Sequence, residues 1–228
     1  MKLTLIRRKT ETPGVESFIF SPAEPLLWKA GQYLHYVLHH EPTDNRGSDR
    51  WFTVASAPFE KEIMITTRLA DEKGSSFKAA LGALQIGESI EISDLDGDFI
   101  VEDATQEYVF IAGGIGITPF HSILKEANHA DIKLRATLLY ANRDSNIPYK
   151  EELEGFAKDN PALVIHHVTA PQRIDKILIQ KLIPDVQTPV FYVSGPEPMV
   201  KSLSEVLKDM GIAADHIKQD DFPGYPAE

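Results

Sequence analysis

The chain has 228 residues, 43% of them hydrophobic and 25% charged, and it contains no cysteine. This composition is typical of a globular protein with one large or two smaller domains, and it excludes disulfides, cysteine-ligated metal clusters and a cysteine nucleophile. The formal net charge of −11 argues against a nucleic-acid partner, which would favour a basic surface. No apolar run is long enough for a membrane span, and MKLTLIRRKTE lacks the apolar stretch of a signal peptide, so we expect a cytoplasmic protein.

Residues 1–102 contain short runs rich in β-branched and aromatic residues, separated by turn residues. This pattern indicates an antiparallel β-barrel. One segment at 75–84 interrupts it with apolar residues at helical spacing and predicts a helix. The predicted strands are LTLIRRKT, VESFIFS, QYLHYVLHH, RWFTVAS, EIMITTRL, ESIEI and DFIVE.

Residues 103–228 change to a regular alternation of strand and helix patterns. Such alternation predicts a parallel sheet with helices on both faces. The predicted strands are YVFIAG, KLRATLLYA, LVIHHV and VFYVSG, and the predicted helices are HSILKEAN, YKEELEGFAK, DKILIQKL and PMVKSLSEVLKDM. The fold class is therefore two-domain α+β: an antiparallel barrel at 1–102 and an α/β nucleotide-binding domain at 103–228, with the polar stretch VEDATQE between them.

The segment GGIGITPF at 113–120 directly follows the first strand of the second domain. Glycine is needed where another backbone or a ligand comes very close, and open α/β sheets bind phosphates where a strand leads into a helix. By itself the segment could equally be an ordinary strand-to-helix turn. Its place at the end of this strand favours a nucleotide-binding turn.

A second glycine turn, SGPEPMV at 194–200, follows the last predicted strand. It could be only a helix start with a capping serine. Two glycine turns at the carboxyl ends of strands in one sheet, however, would face the same crevice. A dinucleotide lying across that crevice is the better interpretation.

Two further segments lie in the first domain. In RWFT at 50–53, strand alternation puts Arg50 and Phe52 on one side and Trp51 and Thr53 on the other. This could be no more than a surface charge beside a core residue. In KGSSFK at 73–78, the first N–H groups of the helix could bind a phosphate, although a plain serine cap explains the pattern equally well.

Four segments occur in an order that resembles the ferredoxin-NADP reductase superfamily, flavoproteins with a flavin-binding barrel followed by a nicotinamide-nucleotide domain. They are AGQY (30–33), RWFTVAS (50–56), GGIGITP (113–119) and SGPEPM (194–199). The ending DDFPGY (220–225) is similar to the acidic-aromatic C-terminus of that superfamily.

The resemblance implies roles for matching positions. Arg50 would bind a flavin phosphate, Phe52 would pack on the isoalloxazine, and Thr53 would bond near flavin N5. The catalytic residues implied are Thr53, Ser194 and Phe222. The cofactor-binding residues implied are Arg50, Trp51, Phe52, Thr53, Thr67, Arg68, Gly74, Ser75, Ser76, Gly113, Gly114, Gly116, Thr118, Arg143, Gly195 and Pro196.

Three positions depart from the pattern of the superfamily. Phe52 stands where tyrosine is usual, so stacking is kept and a hydroxyl contact is lost. Ser194 replaces a frequent cysteine, and KGSSFK matches the second flavin motif only loosely.

The resemblance implies an NAD(P)H-dependent flavoprotein reductase that uses FAD, with FMN as the alternative, and no metal. Electrons would pass to a small acceptor or to a redox protein such as ferredoxin, flavodoxin or another iron–sulfur protein. The other hypothesis is a non-catalytic nucleotide-sensing or interaction module that has lost the flavin. Because Arg143 lies beside Asp144 after the second parallel strand, and the carboxylate would repel a 2′-phosphate, we expect NADH rather than NADPH.

Overall fold

The computed structural model describes residues 1–69 and 74–222. Six strands form the first sheet, in the order β4-β3-β6-β1-β2-β5, and all neighbours are antiparallel. Because β4 and β5 end the sheet, the predicted barrel is confirmed as an open half-barrel. The strands are β1 (Lys2–Thr12), β2 (Val15–Pro22), β3 (Tyr33–Val37), β4 (Asp49–Thr53), β5 (Ile63–Arg68) and β6 (Ser89–Asp96).

The predicted helix of the first domain is α1 (Ser76–Ala83). Phe77 and Leu81 of this helix are fully buried and pack into the core of the half-barrel. Ser75 caps the helix by accepting a hydrogen bond from the backbone N–H of Lys78 at 3.2 Å. The serine-cap interpretation of KGSSFK is therefore confirmed; Lys73 lies outside the described residues.

The predicted strand DFIVE at 98–102 is wrong, because this segment has no strand pairing. Phe99 is 3% exposed and packs edge-on against Phe120 and Tyr192 of the second domain. The Tyr192 hydroxyl donates to the carbonyl of Ile100 at 2.6 Å. The apolar pattern of the segment reflects packing between the two domains, which the sequence pattern cannot distinguish from packing within a sheet.

Five parallel strands form the second sheet, in the order β11-β10-β7-β8-β9. Helices α2 and α3 cover one face, and α4 and α5 cover the other, as predicted. The strands are β7 (Glu107–Gly113), β8 (Arg135–Asn142), β9 (Leu163–Thr169), β10 (Val190–Pro196) and β11 (Ile217–Phe222). The helices are α2 (Thr118–His129), α3 (Lys150–Asp159), α4 (Lys176–Leu182) and α5 (Glu197–Asp209).

Strand β11 was not predicted. Its sequence IKQDDF is polar, and only Ile217 is buried, because it is an edge strand that contributes little to the core. It lies in parallel register beside β10, so that Asp220 is opposite Ser194 and Phe222 is opposite Pro196. The last residues of the motif DDFPGY, 223–225, lie outside the described residues.

Strand order reverses between β7 and β10. From β7 the chain proceeds outward through β8 and β9, then returns to the other side of β7 to form β10 and β11. Such a switch point opens a crevice at the carboxyl ends of the two strands. The glycine turns at 113–119 and 194–199 are the segments that leave these two strands.

One hydrophobic cluster joins the two domains. Ile19, Ala55 and Met64 of the first domain pack with Phe120 and Tyr149 of the second. The predicted domain boundary at 102/103 lies between β6 and β7. Within the described residues, no helix is both long and apolar enough to cross a membrane.

Candidate functional site

The two glycine turns pack directly against each other. A Cβ atom on Gly116 would lie 2.2 Å from the carbonyl oxygen of Ser194, and one on Gly195 would lie 3.2 Å from the Cα of Gly113. Gly113 also has no room for a side chain, because its Cβ would lie 2.4 Å from the sulfur of Met199. Because these three positions carry no side chain, the two turns can meet at the switch point. Glycine is the residue required where two segments come this close.

Gly114 differs from its neighbours. Its φ is +54°, and nothing lies within 4 Å of the place where a Cβ would be. Gly114 therefore has open space beside its backbone, as binding of a phosphate by N–H groups requires. Helix α2 begins directly after this turn with Thr118, whose hydroxyl donates to Ile115 O at 3.1 Å, and Pro119 lies in its first turn as predicted.

On the other side of the crevice, Ser194 is fully buried and its Oγ donates to Oδ2 of Asp220 at 3.1 Å. Burial raises the pKa of Asp220 to about 6, and the charge of Asp221 adds to the rise. Near neutral pH this pair can therefore hold or release one proton beside the glycine turns. The family resemblance includes an acidic C-terminus, but only the register of the unpredicted strand β11 brings Asp220 onto Ser194.

Strand β4 carries the RWFT segment at the edge of the half-barrel. Phe52 packs against Tyr36 and Phe77, and the Arg50 guanidinium lies over the Phe77 ring at 5.5 Å. Trp51 is on the opposite face, 48% exposed, and packs against Tyr33 and His35. The alternation predicted from the sequence is thus confirmed, and it separates Trp51 from Arg50 and Phe52.

Two donors on this strand are buried and have no hydrogen-bond partner among the described residues: Nη2 of Arg50 and Oγ1 of Thr53. Buried polar groups in folded proteins are nearly always paired, so each orphan needs an explanation. The other terminal nitrogen of Arg50 is satisfied by the carbonyls of Arg46, at 2.7 Å, and Asp49. The remaining Nη2 fits an oxygen of a bound phosphate. Alternation puts Thr53 on the other face of β4, and its contact with the flavin stays a prediction.

The N-terminus of α1 is already occupied. The N–H of Ser76 donates to Oδ2 of Asp44 at 2.9 Å, and the Ser76 hydroxyl accepts from the backbone N–H of Asp44 at 3.0 Å. In this structure the Ser76 N–H is therefore bonded to Asp44, and its contact with a phosphate stays a prediction. The loop between β3 and β4 supplies an anion of its own, which the pattern of KGSSFK alone could not reveal.

The strand before α1 ends with Thr67 and Arg68. Thr67 is 3% exposed, whereas Arg68 is exposed. Gly74 follows the four residues outside the described range. The structure brings no hydrogen bond from Thr67 or Arg68 to another described side chain, and their cofactor contact stays a prediction.

Hydrogen bonds tie the end of the RWFTVAS segment to helix α2. His121 Nδ1 donates to the carbonyl of Ala55 at 2.7 Å, and Ser122 Oγ donates to the carbonyl of Ser56 at 2.6 Å. Helix α2 begins at the GGIGITP turn. The segment that carries Arg50 and Thr53 is consequently joined by hydrogen bonds to the helix that follows the turn with Gly114.

His121 is fully buried, stacks on Tyr149 at 3.9 Å, and bonds through Nε2 to Oε2 of Glu152 at 2.9 Å. Burial alone raises the pKa of Glu152, but the hydrogen bond from His121 and the charges of His121 and Lys125 outweigh it and lower the pKa to about 2. The ionised carboxylate can only accept, and so can the carbonyl of Ala55. Each ring nitrogen of His121 therefore faces an acceptor, the Ala55 carbonyl at Nδ1 and the Glu152 carboxylate at Nε2.

The residues expected near the ribose follow β8. Arg143 is exposed, and Oδ1 of Asp144 accepts from the backbone N–H of Asn146 at 2.7 Å in a local turn. Arg173 is exposed in the loop before α4. These side chains are at the carboxyl edge of the sheet, on the β8 side of the switch point, away from the Ser194–Asp220 pair on the β10 side.

Residues 110–205 match the family described as the oxidoreductase NAD-binding domain. Among curated proteins, the chain is similar to one component of the Na(+)-translocating NADH-quinone reductase. It is 28% identical to the Klebsiella pneumoniae protein over 199 residues, which are 77% of this chain and 49% of the relative. The corresponding protein of Neisseria meningitidis serogroup B is also 28% identical over 199 residues, with the same coverage. The chain spans about half the length of the curated relatives it matches.

Solved structures share the fold over nearly the whole chain. The FAD/NAD-binding domain of nitric oxide dioxygenase from Vibrio cholerae superposes with a TM-score of 0.84 at 20% identity, covering 97% of this chain and 98% of that one. A ferredoxin NADP+ reductase from Neisseria gonorrhoeae with bound FAD and NADP gives 0.80 at 19% identity, with coverage of 97% and 98%. The cytochrome b5 reductase domain of Ulva prolifera nitrate reductase gives 0.82 at 21% identity, with coverage of 96% of each chain.

Proposed function

Since the chain has the fold of ferredoxin-NADP reductases and motifs in the order that resembles their superfamily, we propose that it is an NADH-dependent FAD oxidoreductase. The observation that carries the proposal is that two buried donors on RWFT, Arg50 Nη2 and Thr53 Oγ1, make no hydrogen bond within the described part of the chain. They lie on the segment that His121 and Ser122 fix to the helix of the nucleotide turn.

Each of these residues would make a different contact with the cofactors. Arg50 would hold a flavin phosphate by a charge-assisted hydrogen bond, Phe52 would pack against the flavin ring, and Thr53 would donate to it. The bare backbone of Gly114 and the start of α2 would receive the dinucleotide pyrophosphate. The bound flavin supplies the acceptor for a hydride, so the chain needs no nucleophile of its own.

The Ser194–Asp220 pair would have two roles: Asp220 would exchange a proton, and its hydrogen bond would fix the orientation of the Ser194 hydroxyl. Ser194 Oγ is fixed by its bond to Asp220, and with a pKa of about 6 the carboxyl of Asp220 can hold or release a proton near neutral pH. Gly195 and Pro196 follow directly and would lie beside the nicotinamide. Phe222 lies opposite Pro196 in β11 and would cover the flavin until nicotinamide displaces it.

NADH is the proposed nucleotide. The curated relatives carry NADH in their names, and Asp144 lies beside the exposed Arg143 where a 2′-phosphate would have to bind. The check is kcat/KM for each nucleotide with ferricyanide. A preference of tenfold or more for NADPH, equal to about 1.4 kcal/mol, would reverse the assignment.

The electron acceptor is proposed only by class. It is a separate redox protein, such as ferredoxin, flavodoxin or another iron–sulfur protein, or a small acceptor. The matched relatives are named as components of a quinone reductase, and this chain covers about half of their length, so a quinone is among the small acceptors to be screened. A cytoplasmic location stays a prediction from the sequence.

The absorption spectrum of the purified chain tests the proposal. We expect visible flavin bands, and we expect Arg50→Ala to lose bound flavin while its circular dichroism spectrum is unchanged. If Arg50→Ala kept its full flavin content, Arg50 would not be a flavin-binding residue. A wild-type chain that binds neither FAD nor FMN would instead support the non-catalytic nucleotide-sensing module.

A further inference from the structure

The loop between β3 and β4 places a carboxylate against the proposed flavin-phosphate site. Oδ2 of Asp44 accepts from Ser76 N at 2.9 Å and from Arg46 Nη2 at 2.7 Å. Oδ1 accepts from Arg46 N at 2.9 Å and lies 3.7 Å from Nη2 of Arg50, the buried nitrogen that has no hydrogen-bond partner among the described residues. One anion thus faces two guanidinium groups and the first N–H of a helix.

These donors are the ones that a phosphate would use. Helix N-termini and guanidinium groups both favour oxyanions, and Arg50 is the residue assigned to the flavin phosphate above. A phosphate bonded to Arg50 Nη2 would come within a few ångströms of the Asp44 carboxylate. Like charges at about 4 Å repel each other, and so both anions cannot occupy the cluster together at no cost.

We propose that Asp44 is an internal competitor for the flavin-phosphate site, whose carboxylate must leave these donors when a phosphorylated flavin binds. This inference rests on the proposed flavin function and adds a residue that sets the affinity of that site. Asp44 therefore lowers the affinity for FMN and FAD and has no effect on riboflavin, which lacks a phosphate.

Hydrogen bonds hold the backbone of this loop at Asp44 next to the start of α1. The Ser76 hydroxyl accepts from the backbone N–H of Asp44 at 3.0 Å, and Nε2 of His40 lies 2.8 Å from the same hydroxyl. These bonds do not use the Asp44 carboxylate, which can rotate away while the loop backbone stays in place. The hydrogen bond from Ser76 N–H and the Arg46 guanidinium hold the pKa of Asp44 well below its usual range, so the carboxylate stays charged at any pH suited to binding experiments.

The test is a fluorescence titration of flavin-free protein with FMN, FAD and riboflavin. Asp44→Asn keeps the shape of the side chain and removes its charge. We expect this variant to bind FMN and FAD at least tenfold more tightly than wild type, with riboflavin affinity unchanged within twofold. Asp49→Asn is the matched control, since Asp49 follows in the same segment but bonds to His35 at 2.8 Å on the outer face. It should leave all three affinities unchanged.

The outcomes separate the inference from the proposed function. Equal or weaker binding of FMN and FAD by Asp44→Asn, with wild type binding flavin, overturns the inference alone. A wild-type chain that binds no flavin overturns the proposed function. Should Asp44→Asn melt well below wild type, Asp44→Glu provides the second arm: it keeps the charge, so the inference requires that it bind FMN no more tightly than wild type.

Discussion

At the scale of single residues, Asp220 makes stability depend on pH. Its pKa is raised to about 6 in the folded chain, so the fold favours the neutral carboxyl, and the stabilising effect present in acid is lost as pH rises from about 4 through 6. Asp220→Asn removes this loss. Because the side chain is partly exposed, we expect a gain of about 1–2 kcal/mol at pH 8 and none at pH 4.

Thermal unfolding of both proteins at the two pH values checks this prediction. Glu205→Gln, an exposed change on α5, controls for the loss of one negative charge. An equal gain for Asp220→Asn at pH 4 and pH 8 would show that titration of Asp220 is not the cause.

A second residue-scale prediction compares two glycines. A methyl group on Gly116 would meet the carbonyl of Ser194 at 2.2 Å, whereas one on Gly155, within α3, would meet nothing within 4 Å. We expect Gly116→Ala to destabilise the protein by about 3 kcal/mol through overpacking. Gly155→Ala should stabilise it by about 0.5–1 kcal/mol through helix propensity. Denaturant unfolding measures both, and similar effects for the two variants would contradict the packing of the glycine turns.

At the scale of elements, His121 joins α2 to the first domain and to α3. His121→Asn would lose the bond to Glu152 and the stacking on Tyr149, leaving a carboxylate held by Lys125 alone at 3.1 Å. Since Glu152 is partly exposed, we expect a loss of about 2 kcal/mol, less than for a fully buried pair.

The control for this element is an exposed ion pair between β7 and β8. Glu107 lies 3.4 Å from Arg135 with both side chains about half exposed, so Glu107→Gln should change stability by no more than about 0.5 kcal/mol. Urea unfolding separates the two variants. If the two variants lose equally little stability, the contacts of His121 do not hold α2 and α3 to the half-barrel.

At the scale of the whole molecule, the shared core makes the two domains unfold together. Ile19, Met64 and Phe99 pack in one cluster with Phe120 and Tyr192, so unfolding of either domain would expose apolar side chains of the other. We expect a single calorimetric transition with equal calorimetric and van't Hoff enthalpies. Phe99→Ala should lower the stability of this unit by about 3–4 kcal/mol and broaden or split the transition. Two resolved transitions in wild type would contradict the prediction.

Much of this architecture could be predicted from the sequence, for identifiable reasons. The periodicity of residues 107–209 is strong because helices cover both sheet faces, and every helix and strand there was predicted. Strand β11 was missed because an edge strand such as IKQDDF needs few apolar residues. DFIVE was wrongly predicted as a strand because Phe99 is buried by the other domain.

The candidate site also has parts that the sequence predicts and parts that it does not. Its glycine turns and RWFT carry local patterns that resemble known motifs, and the sequence located them. The roles of Asp44 and Asp220 depend on a loop that folds onto α1 and on the register of an edge strand. Both contacts join residues more than 25 positions apart, Asp44 to Ser76 and Asp220 to Ser194, and no local pattern encodes them.

The register of β11 also governs how this chain would behave in a fusion protein. Phe222 is opposite Pro196, so a protein fused downstream of β11 is tethered to the edge of the crevice. An acceptor protein linked there would encounter the site at an effective concentration in the millimolar range, set by the length of the spacer rather than by its own affinity. Met1, in contrast, is bonded to Ile92 in the other sheet, and a linker from that end starts from the half-barrel.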